Sequence, residues 1–322
     1  MLHIRALAAL LLAAASAGSA REPQVAPLPP PDPVAIAEQA SEYLAFAEFE
    51  QRMRVPVRVN GAGPFHFVID TGAERTVISR QVATTLGLSV GRTVNIAAMT
   101  GVVPVSTVHI PSLEIDAVPR TRSIEAPQLE GLHLGADGLV GLDSLANNAL
   151  LIDFDESRMH VQKSRRRQRA AAPDEIVITA KSQMGRLIVT DARFAGKRIS
   201  VVLDTGTSVS IGNSALLKLV ADKAKVGLPI RVMSVTGGTI DADYRVVPRV
   251  TLGGVELRTL PVAFADVPPF ERLKLNDRPA LFLGMDAMKL FRQVRIDFPN
   301  REVRFLLPRG VRPSGIGARL MQ

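Results

Sequence analysis

The stretch Phe67-Val68-Ile69-Asp70-Thr71-Gly72-Ala73-Glu74 decides the fold, because Val201-Val202-Leu203-Asp204-Thr205-Gly206-Thr207-Ser208 repeats its design. In each copy an apolar run that reads as a buried strand ends on an aspartate, and the glycine two residues later permits a sharp turn. Working outward, Leu139-Val140-Gly141-Leu142-Asp143-Ser144-Leu145 matches Phe282-Leu283-Gly284-Met285-Asp286-Ala287-Met288. Each continues into Ile-Asp-Phe, at Ile152-Asp153-Phe154 and Ile296-Asp297-Phe298. Between these anchors a Thr-Gly pair marks a hairpin turn, Thr100-Gly101 in the first half and Thr236-Gly237 in the second. Four landmarks in the same order indicate an internal duplication. Two carboxylates in matched settings point to one catalytic pair.

The repeat divides the chain. Residues 51–162 form an N-terminal lobe, 163–175 a basic linker, 176–308 a C-terminal lobe and 309–322 a basic tail. In the first lobe Val55, Val57 and Val59 alternate with other residues, Asn60-Gly61 supplies a turn, and Phe65 to Ile69 leads back to Asp70. Further strands are expected at Val94 to Met99, Val102 to Ile110 and Leu150 to Val161, with short helices at Arg80 to Leu86 and Asp143 to Asn148. The second lobe restarts the strands at Ile176 to Ile178, Arg186 to Thr190 and Ile199 to Leu203. It is longer between its landmarks, and Pro268-Pro269 to Pro279 reads as an insertion of the kind that sits in surface loops. The linker, fully extended, reaches roughly 45 Å at about 3.3–3.6 Å per residue, enough for the lobes to face each other.

Ahead of the lobes, residues 1–20 read as a secretory signal, with Arg5 before a short apolar core from Ala6 to Ala15 and small residues through Ala20. An apolar stretch of about ten residues falls short of the roughly 20 needed to span a bilayer, so a cleaved signal and a periplasmic or secreted protein are expected. The alternative is an inner-membrane anchor formed by the uncleaved segment. Residues 21–50 are a proline-rich leader with a short helix at Val34 to Glu50.

Composition narrows the chemistry. At 322 residues and 47% hydrophobic the chain can build two modest cores. The absence of cysteine rules out disulfides, thiolate metal sites and a cysteine nucleophile. His3, His66, His109, His133 and His160 are scattered without metal-binding spacing, and neither a Gly-x-Ser-x-Gly elbow nor a phosphate-cradling loop occurs. No metal or organic cofactor is expected. The net charge of +8 is concentrated at Lys163 to Arg169 and in Arg301, Arg304, Arg309, Arg312 and Arg319. Aromatic residues make up only 4%, which argues against a nucleic-acid partner and for solvated linker and tail, with weak attraction to an anionic envelope surface.

The apolar-apolar-Asp-Thr-Gly motif followed by apolar-apolar-Gly resembles the aspartic peptidases. The small lobes, the run Asp70-Thr71-Gly72-Ala73-Glu74 and the Gly-x-Asp motifs at Gly141 and Gly284 are similar to the retropepsin-like branch. The resemblance spans roughly Met53 to Leu307. It implies an all-β fold of two tandem barrel-like lobes, each with a ψ-shaped crossing and a short helix, and an active site between them. Asp70 and Asp204 would form the catalytic dyad and activate a water toward a peptide carbonyl. Thr71 and Thr205 would lock the loops through reciprocal hydroxyl to backbone hydrogen bonds, and Gly72 and Gly206 would let them approach. The hairpins at Thr100-Gly101 and Thr236-Gly237 would be flaps over an extended polypeptide substrate. The lobes would pair within one chain.

Two departures from the pattern matter. Tyr244 does not stand where a flap tyrosine would, and it reads as a packing residue. Thr207 can hydrogen-bond Asp204, whereas Ala73 has no hydroxyl for Asp70, so unequal support and a mildly acid optimum are expected. The sequence thus describes an exported aspartic endopeptidase. Its alternative is a non-catalytic periplasmic peptide-binding or scaffolding module on the same fold.

Overall fold

The computed structural model describes residues 53–115, 123–165, 170–311 and 318–321. The signal at 1–20, the leader at 21–50 and residues 166–169 of the linker lie outside the described residues.

Strand Arg54–Val59 alternates exposed and buried residues, turns at Asn60 and Gly61, and returns antiparallel as Ala62–Ile69, with Val55 opposite Phe67. Asn60 and Gly61 both have positive φ, as a tight hairpin with the natural strand twist requires. Phe67, Val68 and Ile69 are all buried, because Gly138–Val140 pairs in parallel along the other edge, placing Ile69 opposite Val140. Parallel strands covered on both faces read as continuous apolar runs. Gly138–Val140 also pairs antiparallel with Val77–Ser79, the strand that leaves the Asp70 loop. The strands entering and leaving the aspartate loop therefore flank one that arrives later in the chain.

The second lobe repeats this crossing. Lys197–Leu203 pairs in parallel with Ala280–Leu283, placing Leu203 opposite Leu283, and Ile211–Gly212 pairs antiparallel with the same strand. The molecule is all-β in this sense, with short helices between strands. Arg80–Thr85 begins at Ser79, whose hydroxyl accepts from the Val82 N–H, and Ser214–Val220 is capped the same way by Asn213. Leu142–Leu145 and Met285–Met288 follow the two landmark glycines.

Three elements depart from expectation. Gly131–Leu134 is a helical turn that no periodicity announces, since four residues are too few to show one. The Pro268 to Pro279 insertion is not a surface loop: it contains helix Pro268–Arg272 and buries Phe270, Leu273 and Leu275 in one cluster with Ile188, Val202 and Phe282 of the second-lobe sheet. Arg304 is not solvated, because it lies on an inner strand with Glu175 at 3.1 Å and Glu302 at 2.6 Å, and such a buried cation persists only when paired. The tail also includes a strand, Ala318–Met321, parallel to Val255–Phe264.

A five-stranded sheet joins the lobes. Asn148–Asp153 from the first pairs antiparallel with Gln293–Asp297 from the second, setting Ile152 opposite Val294 and Leu150 opposite Ile296. The two Ile-Asp-Phe landmarks thus lie on paired strands, at opposite ends of the joint. Arg158–Lys163 and Glu175–Thr179, the ends of the linker, occupy opposite edges of this sheet. At about 4.8 Å per strand they are roughly 19 Å apart, well within the linker's reach. One hydrophobic core runs from Val57 and Ile69 through Leu150 and Ile296 to Leu203 and Leu283. Replacing Ile296 by Ala at the joint is expected to cost about 2–5 kcal/mol. Urea unfolding followed by far-UV circular dichroism and by proteolysis of each lobe will show one lowered midpoint common to both probes.

Candidate active site

Asp70 and Asp204 stand where the crossing strands release the chain. The Asp70 N–H donates to Val140 O at 3.0 Å and the Asp204 N–H to Leu283 O at 3.0 Å, so each aspartate is placed by its lobe's late-arriving strand. Between the two loops the threonines bind reciprocally. The Thr71 hydroxyl donates to Leu203 O at 2.8 Å and accepts from the Thr205 N–H at 3.1 Å. The Thr205 hydroxyl donates to Ile69 O at 2.7 Å and accepts from the Thr71 N–H at 3.1 Å. Four buried polar groups are satisfied this way, and the aspartates are drawn side by side. A Cβ on Gly72 would lie 2.6 Å from Asp204 Oδ1, and one on Gly206 2.2 Å from Asp70 Cγ, so only glycine fits at either position.

Behind each loop a second set of hydrogen bonds repeats. Asp143 accepts from the Thr76 N–H at 2.9 Å and the Thr76 hydroxyl at 2.7 Å, and the Gly141 N–H donates to Thr76 Oγ1 at 3.1 Å. Asp286 accepts from the Ser210 N–H at 3.2 Å and the Ser210 hydroxyl at 2.8 Å, and the Gly284 N–H donates to Ser210 Oγ at 3.1 Å. Reading the sequence for motifs missed Thr76 and Ser210. The signal was present, a hydroxyl residue at the same distance after each aspartate.

The carboxyls differ in a way opposite to that expected from side chains. The Thr207 hydroxyl donates its proton to Val209 O at 3.0 Å and so does not support Asp204. Ala73 does support Asp70: its backbone N–H donates to Asp70 Oδ1 at 2.9 Å, beside the Gly72 N–H at 2.8 Å. Asp204 Oδ1 accepts from the Gly206 N–H at 2.9 Å. Burial first, then the Asp70 charge, push Asp204 up to about 7, against the Gly206 N–H and the charge of Arg186. The two side chains also share a hydrogen bond. Asp286 is raised to about 6, chiefly by burial.

Glu74 breaks the twofold pattern, since its counterpart is Ser208. Two arginines of the second lobe reach across to it: Arg272 Nε at 3.0 Å and Nη2 at 2.8 Å, and Arg186 Nη1 at 3.3 Å. Arg186 Nη2 also donates to Gly72 O. Burial opposes ionisation of Glu74, but the hydrogen bonds and charges of Arg272 and Arg186 outweigh it and hold the carboxyl below its usual range. Sequence reading assigned no role to either arginine, because nothing in spacing tells which cation crosses an interface.

The aspartates floor a cleft of about 510 Å³ whose walls include Ala97 to Met99 and Val232 to Val235 from the two hairpins. The hairpin tips meet: Thr100 Oγ1 lies 3.4 Å from Thr236 Oγ1. Gly237, at φ 87°, rests on His133, where a Cβ would come within 2.3 Å of the ring. Gly101 opens the strand that leaves the first tip. Tyr244 does not line the cleft and packs instead beside Ile230 and Val232. Arg186 Nε and Ser208 Oγ are buried without a partner among the described residues, leaving donors on the cleft wall unused. No cluster of His, Asp and Glu suited to a metal ion occurs among the described residues.

Comparison with protein families gives two matches. Residues 55–147 match the model described as "gag-polyprotein putative aspartyl protease", and residues 190–287 match the model described as "Aspartyl protease". No curated protein matches the chain.

Replacing Thr71 or Thr205 by Val keeps the shape but strands two buried backbone groups, at a cost of about 2–5 kcal/mol in each single variant. The double variant is expected to cost less than the sum, measured by urea denaturation, because the two hydroxyls serve one network. Titration adds a second expectation. A carboxyl raised above its unfolded value stabilises the fold below that value, and the contribution is lost as pH rises through the folded one. Thermal midpoints should therefore fall between about pH 4 and pH 7. Asp204→Asn is expected to flatten this decline in part, the remainder belonging to Asp286.

Proposed function

The chain carries two aspartyl protease domains in tandem, consistent with the retropepsin-like aspartic peptidase family, and on that premise we propose that it is an aspartic endopeptidase. The observation that carries this reading is the hydrogen-bonded carboxyl pair on the floor of a cleft walled by both lobes. An extended polypeptide fits such a cleft, with the two hairpins closing over it.

The asymmetry of the pair assigns the roles. Asp70, with two backbone N–H donors on one oxygen, is the ionised member and general base, while Asp204 holds the proton as general acid. A water between them gives its proton to Asp70 as its oxygen bonds to the carbonyl carbon, and Asp204 passes its proton to the carbonyl oxygen. The resulting diol collapses. The carbon to nitrogen bond breaks, the amine nitrogen takes the proton held by Asp70, and a diol hydroxyl returns one to Asp204. The dyad ends as it began, and neither metal nor organic cofactor enters these steps. The pair acts as one coupled acid, so activity depends on its retaining a single proton.

Several further parts of the reading rest on sequence. The signal at 1–20 supports export to the periplasm or beyond, and the two lobes are taken to serve one active site per chain.

The mature protein is expected to cleave peptides in a mixed library at mildly acid pH, with activity declining as pH rises through about 7. Asp70→Asn and Asp204→Asn should each abolish cleavage while leaving the protein folded. Cleavage that survives both substitutions overturns the assignment, and peptide binding without cleavage by the unsubstituted protein favours the non-catalytic module.

A further inference from the structure

We propose that the cleft selects acidic peptide segments, and that Arg75 and Arg92 of the first lobe are the groups that read a substrate carboxylate. The inference rests on the peptidase reading and adds its substrate class. Four guanidiniums line the cleft, those of Arg75, Arg92, Arg186 and Arg272, against the three carboxyl groups of Asp70, Asp204 and Glu74. With one proton on the dyad, cations outnumber anions.

These cations are not equivalent. Arg186 and Arg272 are committed to Glu74, which they hold from across the lobe interface. Arg75 and Arg92 are exposed, line the cleft, and make no ion pair among the described residues. Because Glu74 is already held by two arginines, the carboxylate nearest Arg75 in sequence is not available to it.

Local structure turns Arg92 from an ordinary strand residue into a feature of the wall. In the strand Val90–Ala98 the register against Gly101–Ile110 shifts between Val90 and Thr93. The Thr107 hydroxyl lies 2.8 Å from Arg92 O and 2.9 Å from Glu125 Oε2 and donates its one proton to either acceptor, pinning the irregularity. Such bulges re-aim a side chain beside a site. A Cβ at Gly91 would sit 2.3 Å from Glu125 Oε2, so the glycine leaves room for that carboxylate beside the bulge. Beyond the shift, Val94 and Ile96 continue along the same wall, with Leu129 and Leu139 beside them. An apolar wall bordered by two unpaired guanidiniums suits a glutamyl side chain, whose methylenes pack while its carboxylate meets the cations. The second lobe offers Val232, Met233 and Ser208 in the corresponding region and no such pair.

The test uses matched fluorogenic peptides that differ only in Glu or Gln at each position within three residues of a cleaved bond. At low ionic strength the Glu form should be favoured in kcat/KM by up to about fivefold at one or more positions, as expected for partly exposed charge pairs. The preference should shrink as salt is added. Arg75→Gln and Arg92→Gln should each reduce the ratio, mainly through KM for the Glu peptide. Cleavage of both forms with a ratio of one or below at every position overturns the acidic preference and leaves the peptidase reading intact. If no peptide is cleaved, the peptidase reading fails, and the preference is decided by fluorescence anisotropy of the same peptides on the Asp204→Asn protein. Tighter binding of the Glu form then supports it, and equal binding overturns it.

Discussion

The reciprocal bonding of Thr71 and Thr205 is the constraint on which the rest of this molecule depends. Each hydroxyl crosses to the opposite loop, donating to the residue before that loop's aspartate and accepting from its threonine N–H. Buried groups of this kind must be paired, and in this geometry each lobe supplies what the other lacks. The contact brings two aspartates together that would otherwise repel, and it forbids any side chain at Gly72 and Gly206. It also explains why one sheet and one core span both lobes, since two loops can be held in such register only on a rigid frame.

Upon that symmetric frame the chain builds an unsymmetric site. The second lobe sends Arg186 and Arg272 across to the loop that carries Asp70, whereas no carboxylate follows Asp204 to attract a cation in return. Asp70 gains a second backbone donor from Ala73, whereas Asp204, raised by burial and by the Asp70 charge, has the Gly206 N–H. Identical side chains thereby meet different surroundings, which is what moves the acidities of paired carboxyls apart. The same inequality extends to the walls, where the second lobe's Arg186 and Arg272 are held by Glu74 while the first lobe's Arg75 and Arg92 make no ion pair among the described residues.

Much of the frame was legible in the residues. Apolar runs ending in Asp70 and Asp204 could only be buried strands, Asn60-Gly61 could only be a tight turn, and the landmark glycines and Ile-Asp-Phe triplets recur because both lobes solve the same packing problem. The threonine pairing was implied by the resemblance to the aspartic peptidases, and the hydrogen bonds bear it out. The helical turn Gly131–Leu134 escaped notice because a single turn has no measurable period. The proline-rich insertion looked like a loop, but its spaced Phe270, Leu273 and Leu275 were the mark of an apolar face. Thr76 and Ser210 were legible only to a reader already counting from the aspartates.

By itself the sequence determined the duplication, the strands that end on each aspartate, the glycines that follow and the two carboxyls in matched settings, because these depend on local pattern and on a repeat that any alignment of the halves exposes, whereas the crossing of the strands was implied by the resemblance. Only the tertiary structure decided which carboxyl is better supported, since that depends on backbone N–H groups, which every residue carries and no side chain reveals. Likewise it alone distinguished Arg186, Arg272 and Arg304, held in ion pairs, from Arg75 and Arg92, left facing the cleft. A guanidinium is one letter in the chain, and whether it meets a carboxylate is settled by residues that lie far away in sequence and adjacent in space.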